Sequence, residues 1–147
     1  MSPDRAERLV VFTMRALALT FAVVGLLFII TPNGVLGRMD DVGNWIGSFH
    51  TAPQSDEKLW LALGFAYMTV ITGIALVIST DVGRYRPFLL VLAAGKAASS
   101  LVAGAFFVFG DDVFIYLLNF LVDGSLVLIV LWCWHISAPL ERRVAPT

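Results

Sequence analysis

The chain has 147 residues, 59% of them hydrophobic and only 14% charged, with a mean hydropathy of +0.85. A soluble domain carries about a quarter charged residues, so a water-soluble globule is excluded as the body of this chain. A formal net charge of −1 offers no basic surface for nucleic acid, and one cysteine, Cys133, leaves neither an internal disulfide nor a thiolate metal cluster.

Crossing the hydrocarbon of a bilayer takes about 20 mostly apolar residues as a helix. Four segments meet that requirement, at 9–30, 59–78, 87–109 and 113–134, with connections too short to fold alone. Ahead of the first, Ser2-Pro3-Asp4 reads as an N-cap, a first-turn proline and a carboxylate at the positive end of the helix dipole. The first run is longer than a signal-peptide core. Its one small-x-small stretch, Ala16-Leu17-Ala18, lies near the front, so an uncleaved span is expected. Arg15 sits close enough to the end of that span to reach the headgroups. Thr31-Pro32-Asn33-Gly34 stops the helix.

Segment 31–55 follows. Its Val35, Leu36, Met39, Val42, Trp45, Ile46 and Phe49 recur at helical spacing, with Arg38, Asp40 and Asp41 between them. That pattern predicts a short amphipathic helix in the outer interface, anchored by Trp45. It either covers the bundle end or gates a cavity. Ser55-Asp56-Glu57 then caps the second span, Pro87 opens the third, and Asp111-Asp112 caps the fourth. Short links make the last three spans antiparallel neighbours. The expected fold is therefore all-α, a single-domain four-helix transmembrane bundle with an outer interfacial helix.

Lysine and arginine mark the cytoplasmic side of a membrane protein. Arg5, Arg8 and Arg15 flank the first span, Arg84 and Arg86 lie between the second and third, and Arg142 and Arg143 follow the fourth. The opposite segments carry Arg38 and Lys58 against Asp40, Asp41, Asp56, Glu57, Asp111 and Asp112. Both termini are expected on the cytoplasmic side of a plasma (inner) membrane.

Lys96 and Asp123 are the only formal charges well inside a predicted span. At about 1.5 Å per residue, Lys96 lies roughly 14 Å from the start of its helix and Asp123 roughly 15 Å from the start of the next. Both depths are close to the middle of a hydrocarbon layer about 30 Å thick. Isolated charges there cost several kcal/mol each, whereas a pair facing inward costs far less. A direct or water-bridged ion pair is the expectation. Ser99 and Ser100 share a face with Lys96, and Tyr116 and Asn119 share one with Asp123. With Tyr67, Thr69 and Thr72 of the second span they make a candidate polar strip, since lipid offers such groups no partner.

The strip has two readings. Buried polar groups fix helix register in some bundles. Intramembrane ionisable groups elsewhere mark proton relays, ion paths or ligand sites. A Schiff-base role for Lys96 is disfavoured, because a neighbouring carboxylate holds a lysine protonated. Small-xxx-small pairs at Ala62 and Ala66, Thr69 and Gly73, Gly95 and Ser99, and Ser100 and Gly104 allow close helix approach, within the chain or between copies. His50 and His135 fall at opposite ends of the spans, so no mid-membrane haem ligand pair is expected. There is also no phosphate loop and no HExxH motif. No cofactor is expected.

The four short spans, the Pro-Asn-Gly break, the small-rich third helix and the Asn119-Phe120-Leu121-Val122-Asp123-Gly124 run resemble small bacterial membrane proteins of the DoxX-like kind. The resemblance is one of layout across most of the chain, with a longer outer segment here. It implies a helical membrane fold and, for some members, a non-catalytic place in a membrane redox complex. It implies no catalytic residues. The functional expectation is a non-enzymatic bundle that supports or binds a partner, with the bilayer and either a second copy or a larger membrane complex around it. The alternative is an ion- or proton-linked transporter or channel with Lys96 and Asp123 as its gate. An enzyme acting on a lipid-soluble substrate, with either residue as acid or base, is the more distant reading.

Overall fold

A computed structural model describes residues 2–54 and 57–140. Ser55, Asp56, Arg142 and Arg143 lie outside those residues, together with the capping and charge readings placed on them. Six helices follow in order: α1 Pro3–Ile30, α2 Pro32–Ile46, α3 Lys58–Thr80, α4 Val82–Tyr85, α5 Pro87–Phe109 and α6 Phe114–Ile136. Helices α1, α3, α5 and α6 are each long and apolar enough to cross a membrane. Among the described residues there is no strand, only an isolated bridge between His50 and Val113.

The four long helices form a bundle of two close pairs. Helix α1 packs along α3, and α5 along α6, while contact between the pairs is thinner. The short α3–α5 link therefore produces neighbours, but the intimate partner of α3 is α1, across the long intervening segment. Small residues explain each close approach. A Cβ on Gly25 would lie 2.9 Å from Met68 Cβ, and one on Gly104 would lie 2.8 Å from the Phe120 ring. Of the small-xxx-small pairs, Ser100 and Gly104 serve packing inside the chain. Ala62, Ala66, Thr69 and Gly73 stay on an exposed face of α3.

Burial is unequal along the bundle. The apolar core (Val10, Met14, Leu17, Ile71, Ala75, Ile78, Leu89, Leu92, Val130 and Cys133) lies in the half next to α4. A second buried interaction closes that end. Arg86 donates from Nε and Nη2 to the Trp134 carbonyl at 3.2 and 3.0 Å, with its guanidinium 4.3 Å from the Trp134 ring. The last carbonyls of α6 are the negative end of its dipole, which favours a cation there. Arg86, read in sequence only as a marker of sidedness, is thus also a structural tie between α5 and α6.

Helix punctuation differs from the sequence reading in three places. Ser2 occupies the N-cap of α1, but its side chain makes no capping bond. Val113, not the aspartates before it, is the N-cap of α6. Pro32 not only ends α1 but also sits in the first turn of α2, so the Thr31 break joins two helices directly.

Asp112 is instead taken up by the segment between α2 and α3. Its carboxylate pairs with His50, and its carbonyl accepts from the His50 amide at 3.2 Å. Phe49 packs on Phe114 with ring centroids 5.3 Å apart, and Asp40 accepts from the Ala52 amide. Helix α2 is thereby held over the α5–α6 turn, with Gly43 pressed on Phe114 and Trp45 and Ile46 exposed on the far flank. Exposed ion pairs are worth at most about 1 kcal/mol. Asp112→Asn should therefore leave global stability within about 1 kcal/mol but speed amide exchange across α2, because fastening rather than folding is lost. Unchanged exchange at 32–46, followed by mass spectrometry, would show that the aromatic contacts hold α2 alone.

Candidate functional site

Lys96 and Asp123 meet as expected. Nζ donates to Oδ1 at 3.0 Å, and the residues are 2% and 4% exposed. Both positions follow from helix geometry, since each charge sits near the middle of its helix and α5 and α6 run antiparallel from one tight turn. Two further helices complete the setting. The ammonium lies 4.7 Å from the centre of the Phe21 ring on α1 and 5.6 Å from that of Tyr67 on α3. Ring faces carry negative charge density, so both attract the cation, more strongly when water is excluded. One lysine therefore contacts side chains from all three other long helices, at a level where the two pairs otherwise meet thinly.

The neighbouring polar residues divide. Ser100 donates to the Phe120 carbonyl at 2.8 Å, and a Cβ on Gly124 would meet its hydroxyl at 3.2 Å, so Ser100 cements α5 to α6. Asn119 donates to Ser99 at 3.2 Å. Tyr116 lies beside Phe106, ring centroids 5.7 Å apart. Thr69 and Thr72 donate to the carbonyls of Phe65 and Met68, four residues back on their own helix. They face a separate groove between α1 and α3, with Phe21, Gly25 and Met68. Lys96, Asp123, Ser99, Asn119, Tyr67 and Tyr116 line the spaces described next, Ser100 bonds the α6 backbone, and the two threonines bond their own helix.

A cavity reaches the pair from the side of α2. About 310 Å³ of space is bounded by Lys96, Asp123, Ser99, Asn119 and Tyr67 at its floor and by Phe28, Trp60 and Phe65 on its walls. A second space of about 720 Å³ adjoins it, sharing Phe28, Gly64, Tyr67, Ser99 and Asn119, and extends past Tyr116 and Phe106 to Leu36 of α2. Both occupy the half of the bundle next to α2, where the core is sparse. On the α4 side the pair rests on the packed core described above.

One atom at the floor is unsatisfied. The Tyr67 hydroxyl oxygen is buried, and among the described residues no hydrogen-bond partner reaches it. It lies against α5 at Gly95, where a built Cβ would be 3.5 Å away. Buried polar atoms without partners are uncommon in folded proteins and costly, so each calls for an explanation.

No family model matches the chain, and no curated protein or solved structure matches it either. The site must be read from its own residues. Among the described residues no cluster of histidine, cysteine and acidic side chains has the makings of a metal site. What is present is a paired charge, a small set of uncharged polar groups and a largely apolar lining that includes several aromatic rings. The sequence gives no sign of Phe21 in this role and offers a cavity only as one of two readings of segment 31–55. An aromatic residue in an apolar span carries no local signal, and a cavity between helix pairs is a tertiary property.

Proposed function

We propose that the protein is a non-enzymatic, membrane-embedded binding protein. Its bundle would hold a small partner molecule in the half next to α2, above the Lys96–Asp123 pair. The observation that carries this reading is the cavity on the α2 side of the pair: it ends on a buried polar floor, while the α4 half of the bundle is a packed apolar core. Pockets that bind small molecules are typically a few hundred Å³, mostly apolar, with a few convergent polar groups, and these spaces match. Arginines at the α4 end (Arg5, Arg8, Arg84, Arg86) and aspartates at the α2 end (Asp40, Asp41, Asp111, Asp112) support an orientation with both chain termini cytoplasmic in a plasma membrane. The cavity then belongs to the outer leaflet.

A second reading, transport, is favoured by one feature. The two helix pairs touch thinly and are bridged by Lys96, which is ion-paired within α5–α6 and lies over the Phe21 and Tyr67 rings of α1 and α3. They are therefore able to rock against each other there, as alternating access requires. Proteoliposomes separate the two. Under the binding reading, liposomes containing the protein hold a proton gradient as protein-free ones do. Dissipation by the wild type that disappears in a Lys96→Met, Asp123→Leu double variant would overturn binding in favour of transport.

A further inference from the structure

We infer that the cavity takes an uncharged, lipid-soluble molecule with a carbonyl acceptor at its head, received by the Tyr67 hydroxyl and the Lys96 ammonium. This rests on the binding reading above and names the ligand's chemistry.

Charge comes first. Lys96 and Asp123 neutralise each other, and among the described residues no further formal charge lines either space. A charged headgroup at that depth would bring an uncompensated charge into a low-dielectric site, which is strongly unfavourable. The ligand is therefore neutral.

The balance of donors and acceptors comes next. A lysine ammonium has three N–H donors and no acceptor, and Lys96 uses one on Asp123. The Tyr67 hydroxyl has no partner among the described residues. Asn119 gives one amide hydrogen to Ser99 and keeps another. Against these free donors stand the second Asp123 oxygen, the Asn119 carbonyl and the hydroxyl oxygens of Ser99 and Tyr67, the two hydroxyls each bringing a proton of their own. A ligand that brings acceptors, and no donors of its own, satisfies the floor best. Carbonyl oxygen fits, because its two lone pairs can take the tyrosine and the lysine together.

The route of access fixes the third property. Gly64 on α3 and Ala98 and Val102 on α5 are exposed where the two helix pairs part, and all line the larger space. This gap opens sideways, toward where the bilayer lies. A molecule arriving there is dissolved in lipid. Phe28, Phe65 and Phe106 then offer its body flat apolar surfaces.

The test uses three fluorescent probes in nanodiscs of phosphatidylcholine: Prodan, an uncharged naphthalene ketone; diphenylhexatriene, which has no polar atom; and anilinonaphthalene sulfonate, an anion. Two variants accompany the wild type. Tyr67→Phe removes the hydroxyl alone. Gly64→Leu fills the gap where a Cβ meets nothing within 4 Å, so the fold should tolerate it, and unfolding in dodecyl sulfate checks that it does. Prodan should bind the wild type saturably and tighter than the sulfonate. Its affinity should fall roughly tenfold in Tyr67→Phe, the loss expected for one buried hydrogen bond, and binding should vanish in Gly64→Leu. Diphenylhexatriene should not respond to Tyr67→Phe. If Prodan binds equally well to Tyr67→Phe, or the sulfonate binds tighter than Prodan, the ligand class is wrong while the binding reading stands. If neither Prodan nor diphenylhexatriene shows a saturable component that Gly64→Leu removes, the binding reading itself fails and takes the ligand class with it.

Discussion

Replacing Lys96 by Met, or Asp123 by Leu, will destabilise the protein by about 3–5 kcal/mol, and replacing both together will recover most of that loss. The asymmetry follows from how buried charges are compensated. Each member of the pair is almost fully enclosed, and the 3.0 Å contact is what offsets removal of the other from water. A single replacement leaves an orphan charge in the bundle interior. The double replacement leaves apolar side chains of similar length and no orphan charge, and hydrophobic substitutes for a buried pair are often neutral or better. Lysine left alone would keep the rings of Phe21 and Tyr67, but ring faces supply only about 1–2 kcal/mol. Reversible unfolding in dodecyl sulfate provides the measurement. Single variants within about 1 kcal/mol of wild type would mean that water or lipid headgroups already solvate the pair, against the burial seen here. The double variant is also informative about function. If it folds well yet no longer binds Prodan, the pair belongs to the site; if it folds and binds, the pair serves only to hold α5 against α6.

How much of this was legible beforehand depends on the kind of signal. The four long helices were readable because apolar length is a local property, and their ends matched within a few residues except at α1, which begins at Pro3. The Lys96–Asp123 contact was readable because two rare charges fell at matching depths on helices joined by a tight turn. Legibility stopped where a residue had two plausible partners. Asp112 looked like a cap for the helix it precedes, but His50, distant in sequence, claims it. Thr69 and Thr72 looked like interior polar groups, yet a threonine hydroxyl can bond the carbonyl one turn back and need nothing else. Arg86 fitted the charge rule so well that its place against Trp134 left no separate trace. Tyr67 was placed in the strip by composition alone. Its lack of a partner emerges only from the packing of α3 against α5.

The second large effect should come from Gly25. A side chain there has nowhere to go, since its Cβ would lie 2.9 Å from Met68 Cβ and 3.7 Å from the Phe65 ring. Met68 Cβ is the root of its side chain, so rotation cannot move it aside, and α1 must shift away from α3. Gly25→Leu should therefore cost about 1–3 kcal/mol, the usual range for overpacking, and more if the helices fail to reseat. Gly73→Leu is the matched control. It lies on α3, is exposed, and meets nothing within 4 Å, so it should change stability by no more than about 0.5 kcal/mol. Equal losses at the two positions in dodecyl sulfate unfolding would mean that the α1–α3 contact is not the close one described, or that Gly73 is covered by something the single chain does not contain. Because Gly25 also borders the smaller cavity, Gly25→Leu should weaken Prodan binding as well as the fold. Gly73→Leu should leave binding untouched. The α1–α3 approach would then be tied to the site as well as to stability: the same glycine that lets two helices touch sets one wall of the space above the ion pair.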